Sequence, residues 1–320
     1  MVSSLGYNNF SISSSESKKD TTYIYLREKI TVLGEVTVTN VDGKKIVEKA
    51  IGKMAENYPK GKILNDIHYK EIVKVDSNYI RYLEIAADFV SNGFDNSMVG
   101  KENYKEVFLK GKRTSYNYDS TFSGQNGLFI VYWLNWARGF LTKEALKSYE
   151  YEYEGITTYN ENSAFKISSV RPNSSAKAVL YISTEEYAII GIDSYLDNDT
   201  QDKPKRKEKW WFLKLRLHVD FRKVGNVWYV NSIDDLRKEK NNKGQIFESW
   251  RTIRVLNVSD TKNLPFTHKI KPETNLFNYP LKYDSLFWKT YNGPLETENE
   301  ILIKEKMERN RTKLDDQFKK

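Results

Sequence analysis

Tyr149-Glu150-Tyr151-Glu152-Tyr153-Glu154 alternates an aromatic residue with an acid at every step. A period of two marks a β-strand whose two faces meet different surroundings. Outward from it, strand-like runs continue at Ala164–Val170, Ala178–Ser183, Tyr187–Tyr195, Trp210–Arg222, Val227–Ile233 and Phe247–Val258. Gly225-Asn226 supplies a short turn between two of them. The links are short and no helix intervenes, so the pattern predicts an antiparallel meander. Composition agrees: 14% of residues are aromatic and 22 are tyrosine, a type that suits half-buried strands.

Upstream, Ile46, Val47, Ala50, Ile51, Met54 and Tyr58 recur at steps of three and four, which predicts a core-facing helix near 43–58, ended by Pro59. Ile67–Val75 and Tyr79–Val90 flank Asp76-Ser77-Asn78 and read as a hairpin. Tyr104–Tyr118 reads as a basic strand. A second helical segment is expected near 128–147, where Trp133, Trp136 and Phe140 share a face. Val2–Ile12, Thr22–Leu26 and Val32–Val38 are β-prone, so residues 1–40 read as the tail of a separate β domain. The main antiparallel domain spans 41–295, with the proline-bearing stretch 259–295 irregular. Residues 296–320 form a charged helical tail in which Ile301, Leu302, Met307 and Leu314 are too sparse for a core stripe. The fold class is thus β-rich α+β.

The formal net charge is +8, from 51 basic and 43 acidic residues that are interspersed over most of the chain. That describes a solvated surface rather than a dedicated polyanion binder. Cysteine is absent, which excludes disulfides, thiolate zinc sites and a thiol nucleophile. No apolar run reaches the ~18 residues that span a membrane, the longest being Leu128–Trp136, broken by Asn135. No signal peptide is visible after Met1.

Catalytic motifs fail one by one. Gly93 to Lys101 has the wrong glycine spacing for a phosphate loop. Ser15-Glu16-Ser17-Lys18 lies in a polar turn. His68, His218 and His268 sit in separate segments. Asp197, Asp199 and Asp202 lack the central glycine and closing glutamate of a calcium loop. Asp193 with Asp220, or Asp234 with Asp235, are imaginable hydrolytic pairs, but no spacing fixes them. No catalytic residue, metal or cofactor is expected. The loop Lys205, Arg206, Lys207 beside Trp210 and Trp211 joins cations to aromatics, a combination used on polyanions.

Short motifs carry a family resemblance. Leu5-Gly6-Tyr7, Tyr23–Leu26 and Leu33–Val38 resemble the last strands of a carboxypeptidase-regulatory-like β-sandwich. Asn57-Tyr58-Pro59, Tyr153–Ile156, Tyr159-Asn160, Leu180–Ser183, Tyr187–Ile190, Phe287-Trp288 and Tyr291-Asn292 follow in an order similar to Bacteroidota carboxypeptidase-like regulatory domain-containing envelope proteins. The resemblance implies export to the periplasm or outer membrane and no enzymatic activity. It also implies a sandwich remnant without its first strands, through truncation or a misassigned start. The meander with helices resembles, at fold level, the lipoprotein carriers, whose curved sheet holds an apolar cavity.

The expected function is a non-enzymatic interaction or scaffold module of the cell envelope. Its partner would be an envelope or outer-membrane protein. The first alternative is a carrier of an apolar ligand, with the strands between Tyr149 and Tyr195, Tyr181, Ile189 and Ile192 among them, lining one sheet face and the Leu128–Phe140 segment, which holds Trp133 and Trp136, as a lid. The second is a hydrolase of envelope polymers. An anionic lipid or glycan suits Lys205, Arg206, Lys207, Trp210 and Trp211 better than nucleic acid does.

Overall fold

The computed structural model describes residues 41–93, 104–116, 139–172, 174–198, 210–261, 268–271, 274, 276 and 279–309. The expectations for residues 1–40, for Trp133 and Trp136, for Lys205, Arg206 and Lys207, and for 310–320 lie outside these residues.

Helix α1 spans Gly43–Asn57. The Asp42 carboxylate caps it, accepting from the Lys44 and Lys45 N–H groups that have no partner in the first turn. Ile46, Val47, Ala50, Ile51 and Met54 are buried along one stripe. Tyr58 turns extended at the helix end, as the residue before Pro59 must.

Among the described residues eleven strands form one antiparallel sheet. They are β1 (Lys60–Val75), β2 (Asn78–Gly93), β3 (Tyr104–Tyr116), β4 (Glu150–Tyr159), β5 (Asn162–Val170), β6 (Ala176–Ser183), β7 (Ile189–Asp197), β8 (Trp210–Val224), β9 (Val227–Asn241), β10 (Ile246–Ser259) and β11 (Lys269–Ile270). Their order is β11-β3-β2-β1-β10-β9-β8-β7-β6-β5-β4. Two local meanders are therefore joined by one long-range pair, β1 with β10, with Glu71 opposite Arg251. Asp76 at φ 51° makes the tight β1–β2 turn, and Asn160 and Glu161 at φ 45° and 68° make the β4–β5 turn.

The helix expected near 128–147 is, over its described part, a 3-10 turn at Gly139–Leu141 and a single turn α2 at Ala145–Ser148. Phe140, Leu141, Ala145 and Leu146 are buried, and the Tyr151 hydroxyl donates to the Phe140 carbonyl at 2.7 Å.

Alternation divides the sheet into two faces. The covered face carries Ile167, Ala178, Leu180, Ile182, Ile192, Leu217, Val219 and Phe221, all buried. Helix α1 reaches it: the Tyr58 ring meets Phe221 edge-on at 5.7 Å and its hydroxyl donates to the Ile189 carbonyl. The N-terminus of α1 lies against β4 so closely that a Cβ on Gly43 would stand 2.8 Å from the Tyr151 carbonyl oxygen.

Further along the covered face, the strands carry a ladder of buried charges. Arg81 donates to Glu71 at 3.0 Å, and Arg251 donates to Glu71 at 3.0 Å and to Asp235 at 3.3 Å. Arg237 closes on both Asp235 oxygens at 3.0 and 2.8 Å. The Tyr69 hydroxyl donates to Glu71 at 2.7 Å. Burial pushes the Glu71 carboxyl up, but Arg251 and Arg81 beside it and the Tyr69 O–H carry it below its ordinary value. The ladder explains why β9 runs to Asn241, well past the Ile233 end that its charged sequence suggests. Asp235 and Arg237 are inside, while Asp234, Leu236 and Lys238 project to the opposite face.

On that opposite face the C-terminal segment covers β1–β3. Helix α3 (Ser285–Thr290) is capped by Asp284 and sets Phe287 over Gly111, whose missing Cβ makes room for the ring. Helix α4 (Glu298–Arg309) buries Ile303 and Met307 against Ile72 and Tyr82, beside Tyr79 and Trp250. A stripe that looks sparse in sequence is enough here, because two residues four apart meet a ready apolar strip.

Candidate functional site

Beyond α4 the outer face continues over β4–β8, and its register places a set of polar and aromatic side chains together. Tyr181 on β6 faces Gly191 on β7, Asp193 faces His218 on β8, and Tyr195 faces Arg216. Tyr159, at the end of β4, folds its ring over Gly191 and stacks on Tyr181 with centroids 4.2 Å apart. A Cβ at Gly191 would stand 2.4 Å from that ring, so any side chain there would push the Tyr159 ring aside.

A chain of hydrogen bonds runs through these groups. His218 Nδ1 lies 3.0 Å from Asp193 Oδ1, and His218 Nε2 lies 3.4 Å from the Tyr159 hydroxyl. Asp220 accepts from Asn160 at 2.5 Å and from Asn231 at 2.9 Å. Burial pushes His218 down, but the hydrogen bond and charge of Asp193, with Asp234 and Asp220, raise it above its ordinary value. Burial, Asp220 and Asp193 raise the Tyr159 phenol well above its ordinary value. With His218 protonated, both ring nitrogens donate, one toward Asp193 and one toward the Tyr159 hydroxyl.

The Tyr159 phenol, held protonated, is neither base nor nucleophile at neutral pH. The Asp193–Asp220 pair that the sequence offered does converge on one face, but His218 and Arg216 neighbour Asp193, while two asparagines hold Asp220. Asp234 and Asp235 cannot act together: Asp234 pairs with Arg254 at 2.7 Å on the outer face, and Asp235 belongs to the buried ladder. Among the described residues no cluster of three or more His, Asp or Glu could hold a metal ion.

Of the residues singled out in sequence, Tyr181 lies in this site, half-buried. Ile189 and Ile192 are fully buried in the core, Ile192 directly on the covered face. Trp210 opens β8, and Trp211 is half-buried with its indole N–H enclosed. Tyr159, Asn160, Arg216, His218 and Asn231 were not singled out as a set. Their only advance signal was the Tyr159-Asn160 turn and the alternation of Lys214, Arg216, His218 and Asp220 along β8.

A second cluster lies beneath the C-terminal segment. Lys70 bridges Glu84 at 3.7 Å and Glu300 at 2.7 Å, and Arg113 pairs with Glu84 and Glu296. His68 stacks on Tyr291 at 6.0 Å. Burial, with Lys70 and Arg113 against the pull of Glu84, lowers His68 to about 4. This cluster fastens the chain to itself.

No family model and no curated protein matches the chain. Among solved structures it is similar to a DUF1329 family protein from Desulfovibrio piger, at 11% identity and TM-score 0.34, over 70% of this chain and 96% of that one. It is also similar to a putative outer membrane lipoprotein-sorting protein domain from Vibrio parahaemolyticus, at 11% identity and TM-score 0.28, over 70% and 94%. The MucA/MucB complex of Pseudomonas aeruginosa follows at 7% identity and TM-score 0.22, over 67% and 98%. Likenesses this low fix neither family nor activity. Among the described residues no helix is long and apolar enough to cross a membrane.

Proposed function

We propose that this chain is a non-catalytic binding module of the cell envelope and that the outer face of β4–β8 is its contact surface. The observation that carries this reading is the contrast between the two faces of the same strands. On one, Ile182, Ile192 and Leu217 are buried without remaining exposure. On the other, the Arg216 side chain keeps 59% of its surface beside the half-buried Tyr181 and Tyr195. A satisfied polar network on a sheet face left uncovered by the described residues suits recognition, because its groups are fixed before a partner arrives. The envelope assignment rests on the sequence resemblance. An apolar cargo would have to displace the packing around Ile189 and Ile192, so the open face supports the binding-module reading better than the carrier.

In-cell photo-crosslinking tests the reading. A diazirine amino acid at position 179 or 236 inserts into whatever lies on the outer face without removing a charged group, and one at the exposed Leu302 serves as control. Adducts at 179 and 236 but not at 302 are expected. Equal labelling at all three, or none at 179 and 236, overturns it.

A further inference from the structure

Three rows of side chains cross the open face. Lys177, Tyr195 and Arg216 are direct neighbours across β6, β7 and β8. Val179, Asp193 and His218 form the next row, and Lys166, Tyr181, Gly191 and Asp220 the third. Neighbouring strands lie ~4.8 Å apart, so Lys177 and Arg216 bracket Tyr195 with roughly 10 Å between their strands. The Arg216 guanidinium stands 5.5 Å from the centre of the Tyr195 ring and its Nη2 lies 3.7 Å from Asp193 Oδ1, beyond hydrogen-bond length. A guanidinium has five N–H donors, so most of its capacity is still available. Asp193 Oδ1 faces His218, while Oδ2 has no partner among the described residues.

Each class of ligand meets this grid differently. An apolar molecule would strip water from Arg216 and Asp193 and return no hydrogen bond. A nucleic acid, with a charge at every phosphate, would meet Asp193, Asp220, Asp234 and Glu154 on the same face. A sugar chain has apolar C–H faces for tyrosine rings and hydroxyl edges for carboxylate and guanidinium groups. Carboxylates spaced along it suit two cations set on either side of a ring.

We propose that the open face binds an acidic glycan, with its carboxylates on Lys177 and Arg216, a sugar face on Tyr195, and a hydroxyl donating to Asp193 Oδ2. This rests on the contact surface proposed above and adds its ligand. Tyr181, backed by Tyr159, extends the aromatic floor by one strand toward β5. The Tyr159–His218–Asp193 chain holds the floor in place, with positioning rather than contact as its role.

Calorimetric titration of the full chain with a hyaluronan tetrasaccharide, whose carboxylates fall on every second sugar, against neutral chitotetraose, tests this. The acidic chain should bind at least about tenfold more tightly than the neutral one, and added salt should weaken it. Arg216→Gln, Lys177→Gln and Tyr195→Ala should each weaken it by about tenfold with an unchanged melting temperature. Equal binding of both sugars, or variants that bind like the parent, would overturn the assignment. Failure of the hyaluronan tetrasaccharide to bind while crosslinks persist at 179 and 236 removes the glycan alone. Loss of both removes the contact surface with it.

Discussion

The sheet carries a polar network on each face, and the two are built alike. Both run across neighbouring strands, and both alternate acids with cations or donors. The ladder through Arg81, Glu71, Arg251, Asp235 and Arg237 is closed to water: Glu71 has no exposed surface and Arg237 only 1%. The chain through Asp193, His218, Tyr159 and Asp220 is only partly closed: Asp193 and Asp220 are buried, but 30% of the His218 side chain is exposed. The same cross-strand geometry therefore serves two ends. In the closed ladder every charge needs its partner, because nothing else can solvate it. In the partly open chain water can reach His218 and replace a partner lost there.

The largest expected effect tests the closed side. Arg251→Ala leaves Glu71 and Asp235 buried with a partner missing, and should cost about 3–5 kcal/mol in urea unfolding. A loss below about 1 kcal/mol would mean that water enters the ladder, and the contrast would fail.

Two histidines sharpen the contrast in the pH dimension. His68, under the C-terminal segment, has its pKa depressed from 6.5 to about 4. In that window the unfolded chain binds a proton that the folded chain refuses. Its contribution is thus complete above 6.5 and lost as pH falls toward 4, a span worth roughly 3 kcal/mol. His218 has a raised pKa, so its contribution is complete below 6.5 and lost as pH rises through the folded value. Proton-detected titration of both rings should show one midpoint near 4 and the other above 6.5, and His68→Gln should flatten the acid limb. Two ordinary midpoints would erase the distinction. The carboxyls of Glu296 and Glu300, held down against burial by Lys304 and Lys70, add their own loss only at lower pH.

The smallest effect lies on the open side. Tyr159→Phe removes one hydroxyl from the His218–Asp220 chain while keeping the ring over Gly191 and Tyr181. A thermal melt should register about 1 kcal/mol or less. A loss comparable to that of Arg251→Ala would make the open chain a core element instead.

Local pattern explains what could be read in advance. The stripe of Ile46, Val47, Ala50, Ile51 and Met54, the Asp76-Ser77 hairpin and the Tyr/Glu alternation of β4 each lie within one element. Their physics is complete within a few residues. The closure of β1 on β10 is not local, so nothing near Glu71 announces Arg251. For the same reason Asp235 and Arg237 read as surface charges, and β9 looks shorter than it is. The site suffers equally. Asp193, His218 and Tyr159 come from three strands, and only register brings them to one face. Tyr181 was within reach because it sits in an apolar run whose polar tip asks for a partner. Ile189 and Ile192 share that character but are core.

The pairing of β1 with β10 also sets a timetable. Glu71 and Arg251 stand 180 residues apart in the chain. At ~5–20 residues per second, synthesis would leave the β1–β2–β3 meander with a bare edge for roughly ten seconds or more. A bare edge invites pairing with other nascent chains. Glu71 and Arg81 are then still in water, and their charges discourage that pairing. Groups that are burdensome in the finished core thus act as chaperones of their own strand while it waits for β10.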